Sequence, residues 1–155
     1  MTASSETAAD TTRRPAPLSV VPEHLVVGVD GSEASLRALD TATMVARRNG
    51  SAVTVAFVRQ PSLFAGAVAV DWSAVFASVE AEVAEAARER LAGLRWRLVV
   101  ADGLPAPELE RIAQEEGADL LVVGRSQGGH IHRLIEGSVA GHAATHAPVP
   151  VLVVR

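Results

Sequence analysis

Five short apolar runs punctuate the chain, at residues 24–30, 51–58, 95–100, 119–124 and 148–155, and between them apolar positions recur at helical spacing. The first run, His-Leu-Val-Val-Gly-Val-Asp, is apolar at consecutive positions, which predicts a central parallel strand covered by helices on both faces. It is expected to end at Asp30, with Gly31 and Ser32 turning the chain into a helix over 33–49. Leu36, Leu39, Ala42, Val45 and Ala46 make that helix's apolar face, Arg47 and Arg48 suit its negative carboxyl end, and Asn49-Gly50 supplies a left-handed stop. Residues 51–58 are β-branched and apolar and predict a second strand. The connection over 59–71 is unusually apolar for a surface segment, with Leu63, Phe64, Val68 and Val70. Packing on its own domain is the first use that suits it, cover over a pocket mouth or an oligomer contact the next.

Asp71 or Ser73 caps a long helix whose stripe of Val75, Val79, Val83, Ala87, Leu91 and Leu94 faces the sheet. Arg95, Trp96, Arg97 and Leu98 alternate, which puts the third strand, 95–100, at or near a sheet edge with one side wet. Asp102-Gly103 turns. Pro105 and Pro107 open a helix where missing N–H groups cost little, Leu109, Ile112 and Ala113 face the sheet, and Gly117 ends the helix. Residues 119–124 form the fourth strand, a glycine-rich loop follows, a helix runs from Gly137 to about His146, and 148–155 is a fifth strand.

Strands alternating with helices predict an α/β fold in which right-handed crossovers build one five-stranded parallel sheet with helices on both faces. In the order 3-2-1-4-5 the winding reverses between strands one and four, and ligands bind beyond the carboxyl ends of strands at such a point. Val29, Asp30, Gly31 and Ser32 meet the 124–138 segment there, with Val58 alongside. That second segment has the makings of an anion site. An apolar strand ends in Gly124 and the chain returns to a helix start, whose free N–H groups and dipole attract anions while glycine permits close approach. Residues 1–22, rich in Thr, Ser, Ala and Pro without period, are read as a disordered solvated tail, and 23–155 as a single domain.

Composition narrows the chemistry. At 155 residues and 48% hydrophobic the chain supports one full core. A formal net charge of -4 gives no attraction to nucleic acid or anionic membranes. All 14 basic residues are Arg, which excludes a Walker-type phosphate lysine and Schiff-base chemistry. The absence of cysteine excludes disulfides, thiolate catalysis and cysteine-ligated metal, and fits a reducing cytoplasm, the expected location. No apolar run approaches the roughly 20 residues that span a bilayer. Arg13-Arg14 has the look of a twin-arginine export signal, but Pro15-Ala16-Pro17 follows where an apolar segment should begin.

Four tracts, in order, resemble signatures of the universal stress protein family: Val27-Gly-Val-Asp-Gly-Ser-Glu-Ala-Ser35, Gly117-Ala-Asp-Leu-Leu-Val-Val-Gly124, Gly137-Ser-Val-Ala140 and His146-Ala-Pro-Val-Pro-Val-Leu-Val-Val-Arg155. The resemblance spans about residues 25–155 and implies that family's Rossmann-like, adenine nucleotide alpha-hydrolase-like fold. The family's ATP-binding branch carries Gly-x-x-Gly, a nine-residue gap, then Gly-Ser/Thr. Gly124 matches the first glycine and Gly137-Ser138 the close, at the family's spacing, but Gln127 stands where the second glycine belongs. A side chain at a position needing positive φ costs roughly 1–2 kcal/mol and obstructs a phosphate. Gly128 and Gly129 follow at once, so a tight turn shifted by one residue is the alternative.

By the same resemblance Asp30 reaches adenine or ribose, Val58 lines the adenine pocket, and Gly124, Gly137, Ser138 and Val139 hold ribose and phosphates, with ATP and Mg2+ as the ligand. Val29, Gly31, Ser32, Arg125, Gln127 and Gly128 complete the candidate binding set. Bland readings stand beside these: Asp30 as the cap of the first helix, Gly137-Ser138 as an ordinary helix start, Arg125 and Arg133 as solvated loop arginines. His130 and His132, with Glu136 the one nearby carboxylate, make a poor metal set, and Ser126 and Ser138 sit in no nucleophile elbow. Two functional readings follow. One is a regulatory module that binds ATP, hydrolyses it at most very slowly, and reports stress through a dimer. The other is a nucleotide-free dimeric interaction scaffold, with Gln127 the feature that separates the two. A hydrolase built on His130 or His132 has the least support. The resemblance also implies a homodimer through Val151–Val154, and an apolar edge strand gives that pairing a physical basis.

Overall fold

The computed structural model describes residues 21–60, 71–125 and 147–155. Residues 1–20 of the leading tail, residues 61–70 of the apolar connection, and the loop and helix expected over 126–146 lie outside the described residues. Strands β1 (His24–Gly28), β2 (Ala52–Arg59), β3 (Trp96–Asp102), β4 (Leu120–Gly124) and β5 (Val151–Val154) form one sheet in the order β3-β2-β1-β4-β5. Every pairing is parallel. Helices α1 (Glu33–Asn49), α2 (Trp72–Arg90) and α3 (Pro105–Glu115) connect them. This is the Rossmann-like α/β order expected from the alternation of elements.

The continuous apolar runs are explained by cover on both faces. On β1, Leu25 and Val27 point into a core shared with α1 and α2, while Val26 points into a second core with α3, and all three are fully buried. Each such side chain contributes about 1.5–3 kcal/mol relative to exposure. The buried ridge of α1 is Ala34, Ala38, Ala42 and Ala46, one residue per turn, with Leu39 beside it. These small side chains bring the helix close to the sheet. Leu36 and Val45, expected on that face, pack only at its margin. Gly50 at φ 71° closes α1 with its N–H on the Ala46 carbonyl at 2.8 Å, and Arg47 and Arg48 lie in the last turn as expected.

Several boundaries differ from the sequence expectation. β1 stops at Gly28, so Val29 and Asp30 belong to the connection, although the Val29 N–H still donates to the Ala56 carbonyl at 2.9 Å. β3 runs to Asp102, not to 100, because Asp102 stays in register with Arg59 and receives its guanidinium twice, at 2.8 Å each. β3 pairs with β2 alone among the described residues, the edge position that its exposed Arg97 suggests. Asp71 caps α2, accepting from the N–H groups of Ser73 and Ala74, but the stripe is buried only from the middle of the helix onward. Val83, Ala87 and Leu91 are fully buried while Val75 is 41% exposed. The reason is the level of the helix. Val79 Cγ1 lies 3.5 Å from where a Cβ of Gly31 would stand, so the first turn of α2 extends past the strand ends. Leu94 lies beyond the helix, which ends at Arg90. No described helix is long and apolar enough to cross a membrane.

Candidate functional site

The reversal in winding falls between β1 and β4, and the chain leaves both strands at their carboxyl ends there. Gly31 adopts φ 84°, the left-handed conformation that turns the chain from β1 toward α1. Ser32 is the N-cap of α1: with extended φ/ψ of -69° and 155° it accepts on Oγ from the Ser35 N–H at 3.2 Å. Asp30 is therefore not the cap. Its Oδ1 accepts from the Ser32 N–H at 2.9 Å, bracing the turn, and its Oδ2 has no donor among the described residues. The residue is exposed.

The strand register places three candidates at one height. Gly28 pairs with Ala56 and Val27 with Val122, so Val58 on β2 and Arg125 after β4 both stand level with Asp30. Val58 is half-buried and packs on the α3-side core. Arg125 is exposed, anchors its own N–H on the Val154 carbonyl at 2.7 Å, and makes no ion pair with any described residue. The register thus sets an exposed acceptor, a half-buried apolar side chain and an exposed cation at the carboxyl ends of three neighbouring strands. Val29 contributes no side chain there, being 2% exposed within the α1 and α2 core. Gln127, Gly128, Gly137, Ser138 and Val139 lie outside the described residues, as do His130 and His132.

Gly124 has a packing reason to be glycine. A Cβ there would stand 2.3 Å from the Ala34 carbonyl oxygen, 2.5 Å from its carbon and 2.9 Å from the Ser35 nitrogen. The end of β4 is pressed against the first turn of α1, and the glycine that the motif assigns to ligand approach is demanded by helix approach as well. This contact also brings β4 against the very turn that carries Asp30.

Sequence reasoning missed three polar arrangements. Ser35, 6% exposed, donates its hydroxyl to the Ser32 carbonyl at 2.8 Å and accepts the Asp30 N–H at 3.2 Å. Its spacing, three after a capping Ser, was the available signal. At the opposite, amino end of the sheet, Glu116 Oε2 accepts from Arg97 and, at 3.0 Å, from the fully buried Thr54 hydroxyl. The Thr54 Oγ1 lies 2.8 Å from His24 Nε2. Because the hydroxyl hydrogen points to Glu116, the imidazole Nε2–H is the donor in that second bond. The Arg97 hydrogen bond, aided by Thr54 and by the charges of Arg97 and His24, holds the Glu116 carboxyl below its ordinary range against the opposing effect of burial. Third, Asp119 Oδ2 accepts from the N–H groups of Glu23 and His24, at 2.8 and 3.0 Å, tying the start of β1 to that of β4. No signal in sequence marks these last two clusters, since their members lie on separate elements. Among the described residues no group of three His, Asp or Glu side chains is placed to hold a metal.

Comparison with known proteins bears on the family and the fold. The model of the universal stress protein family matches residues 22–155. Universal stress protein MJ0531 of Methanocaldococcus jannaschii is 31% identical over 137 residues, covering 84% of this chain and 81% of its own. Universal stress protein Rv1636 of Mycobacterium tuberculosis is 32% identical over 140 residues, covering 84% and 94%. Among solved structures, a universal stress protein in complex with cAMP superposes with a TM-score of 0.65 at 27% identity, over 86% of this chain and 97% of that one. Since the family match begins just ahead of β1 and runs through β5, taking in every strand and helix described, the chain belongs to the universal stress protein family.

Proposed function

We propose that this protein is a regulatory module that binds an adenine nucleotide, ATP with Mg2+ foremost, in the crevice at the carboxyl ends of β1 and β4. The observation that carries the reading is the Asp30 carboxylate: one oxygen is committed to the turn at 2.9 Å, the other has no donor among the described residues, and Val58 and Arg125 stand at its level. In this reading Asp30 accepts from a ribose hydroxyl or the adenine amino group, Val58 packs on the base, and Arg125 faces phosphate charge. Gly124 and the turn residues Gly31 and Ser32 shape the crevice wall. The roles of Gly128, Gly137, Ser138 and Val139 around the phosphates rest on the family's motif alone. The cAMP held by a 27% identical relative joins adenine, ribose and phosphate in one ligand, which supports the class. Function in the cytoplasm fits the absence of cysteine.

The test is calorimetry on nucleotide-free protein with ATP and Mg2+, and with cAMP. Binding is expected in the parent, and Asp30→Ala is expected to weaken it by about tenfold or more, the worth of a hydrogen bond to a charged group. No heat and no thermal shift at millimolar ATP overturns the reading.

Gln127 favours a second reading, a nucleotide-free dimeric scaffold. If the parent binds nothing and Gln127→Gly gains ATP binding, the scaffold reading holds and the loop residue is the cause. In either case we propose a homodimer through β5. It pairs only with β4 among the described residues, and Leu152 on it is 36% exposed, an apolar edge that a second copy would cover.

A further inference from the structure

Four hydrogen bonds close a ring around the Asp30 turn. The Asp30 N–H donates to Ser35 Oγ at 3.2 Å, Ser35 Oγ donates to the Ser32 carbonyl at 2.8 Å, the Ser35 N–H donates to Ser32 Oγ at 3.2 Å, and the Ser32 N–H donates to Asp30 Oδ1 at 2.9 Å. The Ser35 hydroxyl is not needed by the helix. Capping of α1 uses the Ser35 N–H, which alanine would keep, and the Ser32 carbonyl already receives the Leu36 N–H at 2.9 Å. What the hydroxyl adds is a hold on the Asp30 backbone, and it does so from a 6% exposed position where water competes poorly. With the Asp30 backbone held and Oδ1 engaged, the direction of Oδ2 is set.

We infer that Ser35 is a positioning residue for the nucleotide: its buried hydroxyl holds Asp30 so that Oδ2 meets one particular donor, a ribose hydroxyl or the adenine amino group. This rests on the nucleotide reading above. Ser35 touches no ligand itself and acts through Asp30.

The test uses the full chain with Ser35→Ala, Asp30→Ala and the double variant, each titrated with ATP, 2′-deoxy-ATP and inosine triphosphate. Ser35→Ala is expected to weaken ATP binding by about two- to tenfold, as one hydrogen bond is worth. It should also narrow the preference for ATP over the analogue that lacks the donor Asp30 reads. In the Asp30→Ala background it should cost nothing further. Parent affinity in Ser35→Ala, or losses that multiply in the double variant, overturns the inference. A second arm needs no nucleotide. The Asp30 amide should be protected from hydrogen exchange in the parent, through its bond to Ser35 Oγ, and lose that protection in Ser35→Ala. Full protection in the variant overturns the positioning role. A parent that binds no nucleotide sinks the nucleotide reading, while this arm still decides whether Ser35 holds Asp30.

Discussion

Gly124→Ala separates a packing glycine from a ligand glycine. The added methyl would lie 2.3 Å from the Ala34 oxygen, where ordinary contact begins at about 3.4 Å, so the first turn of α1 must recede by about 1 Å. The obstructing atoms are backbone, and trimming Ala34 to glycine gives no relief. Nor does the helix yield cheaply, because its ridge of Ala34, Ala38, Ala42 and Ala46 is 0–7% exposed against the sheet. Overpacking of a closed core costs typically 1–3 kcal/mol, and a backbone obstacle puts this site at the upper end, about 3 kcal/mol. In a domain of this size each kcal/mol lowers Tm by about 2–4 °C, so the variant should melt about 6–12 °C below the parent. The assay is thermal melting by circular dichroism, with nucleotide-free protein throughout. A variant that melts within about 1 °C of the parent refutes the packing argument.

The remaining predictions concern the far end of the sheet and its edge. Thr54→Val removes the hydroxyl between His24 and Glu116 at a fully buried position, and is expected to cost about 1–2 kcal/mol in urea unfolding. An unmoved midpoint refutes the linkage. Glu116 is held below its ordinary value of 4.5, so its contribution is complete above that value and is lost as pH falls through the lower folded value. The stability gap between the parent and Glu116→Gln should therefore be full at neutral pH and close in acid, and a gap independent of pH contradicts the assignment. Leu152→Glu, on the exposed side of β5, should convert a dimer to a monomer by light scattering. A parent already monomeric at micromolar concentration removes the basis for edge pairing.

The sheet was legible in the chain because a strand buried on both faces has no polar alternation to hide it. Leu25, Val26 and Val27 announce β1, and Leu120 to Val123 announce β4, without any help from their neighbours. Local chemistry made the ends of helices legible for the same reason, since Asp71 and Gly50 act within one turn of themselves. Tertiary structure alone decided how far each element extends into contact. It left Val75 exposed because α2 overshoots the strands, and it buried Val29 in the α1 and α2 core. It alone assembled Glu116 with Arg97, Thr54 and His24 from four separate elements. The Gly-x-x-Gly motif shows the division most clearly. Sequence spacing picked out Gly124 as special, but a one-dimensional pattern does not say against what the backbone must be bare. That depends on which segment the fold brings to it, and here the fold brings the first turn of α1.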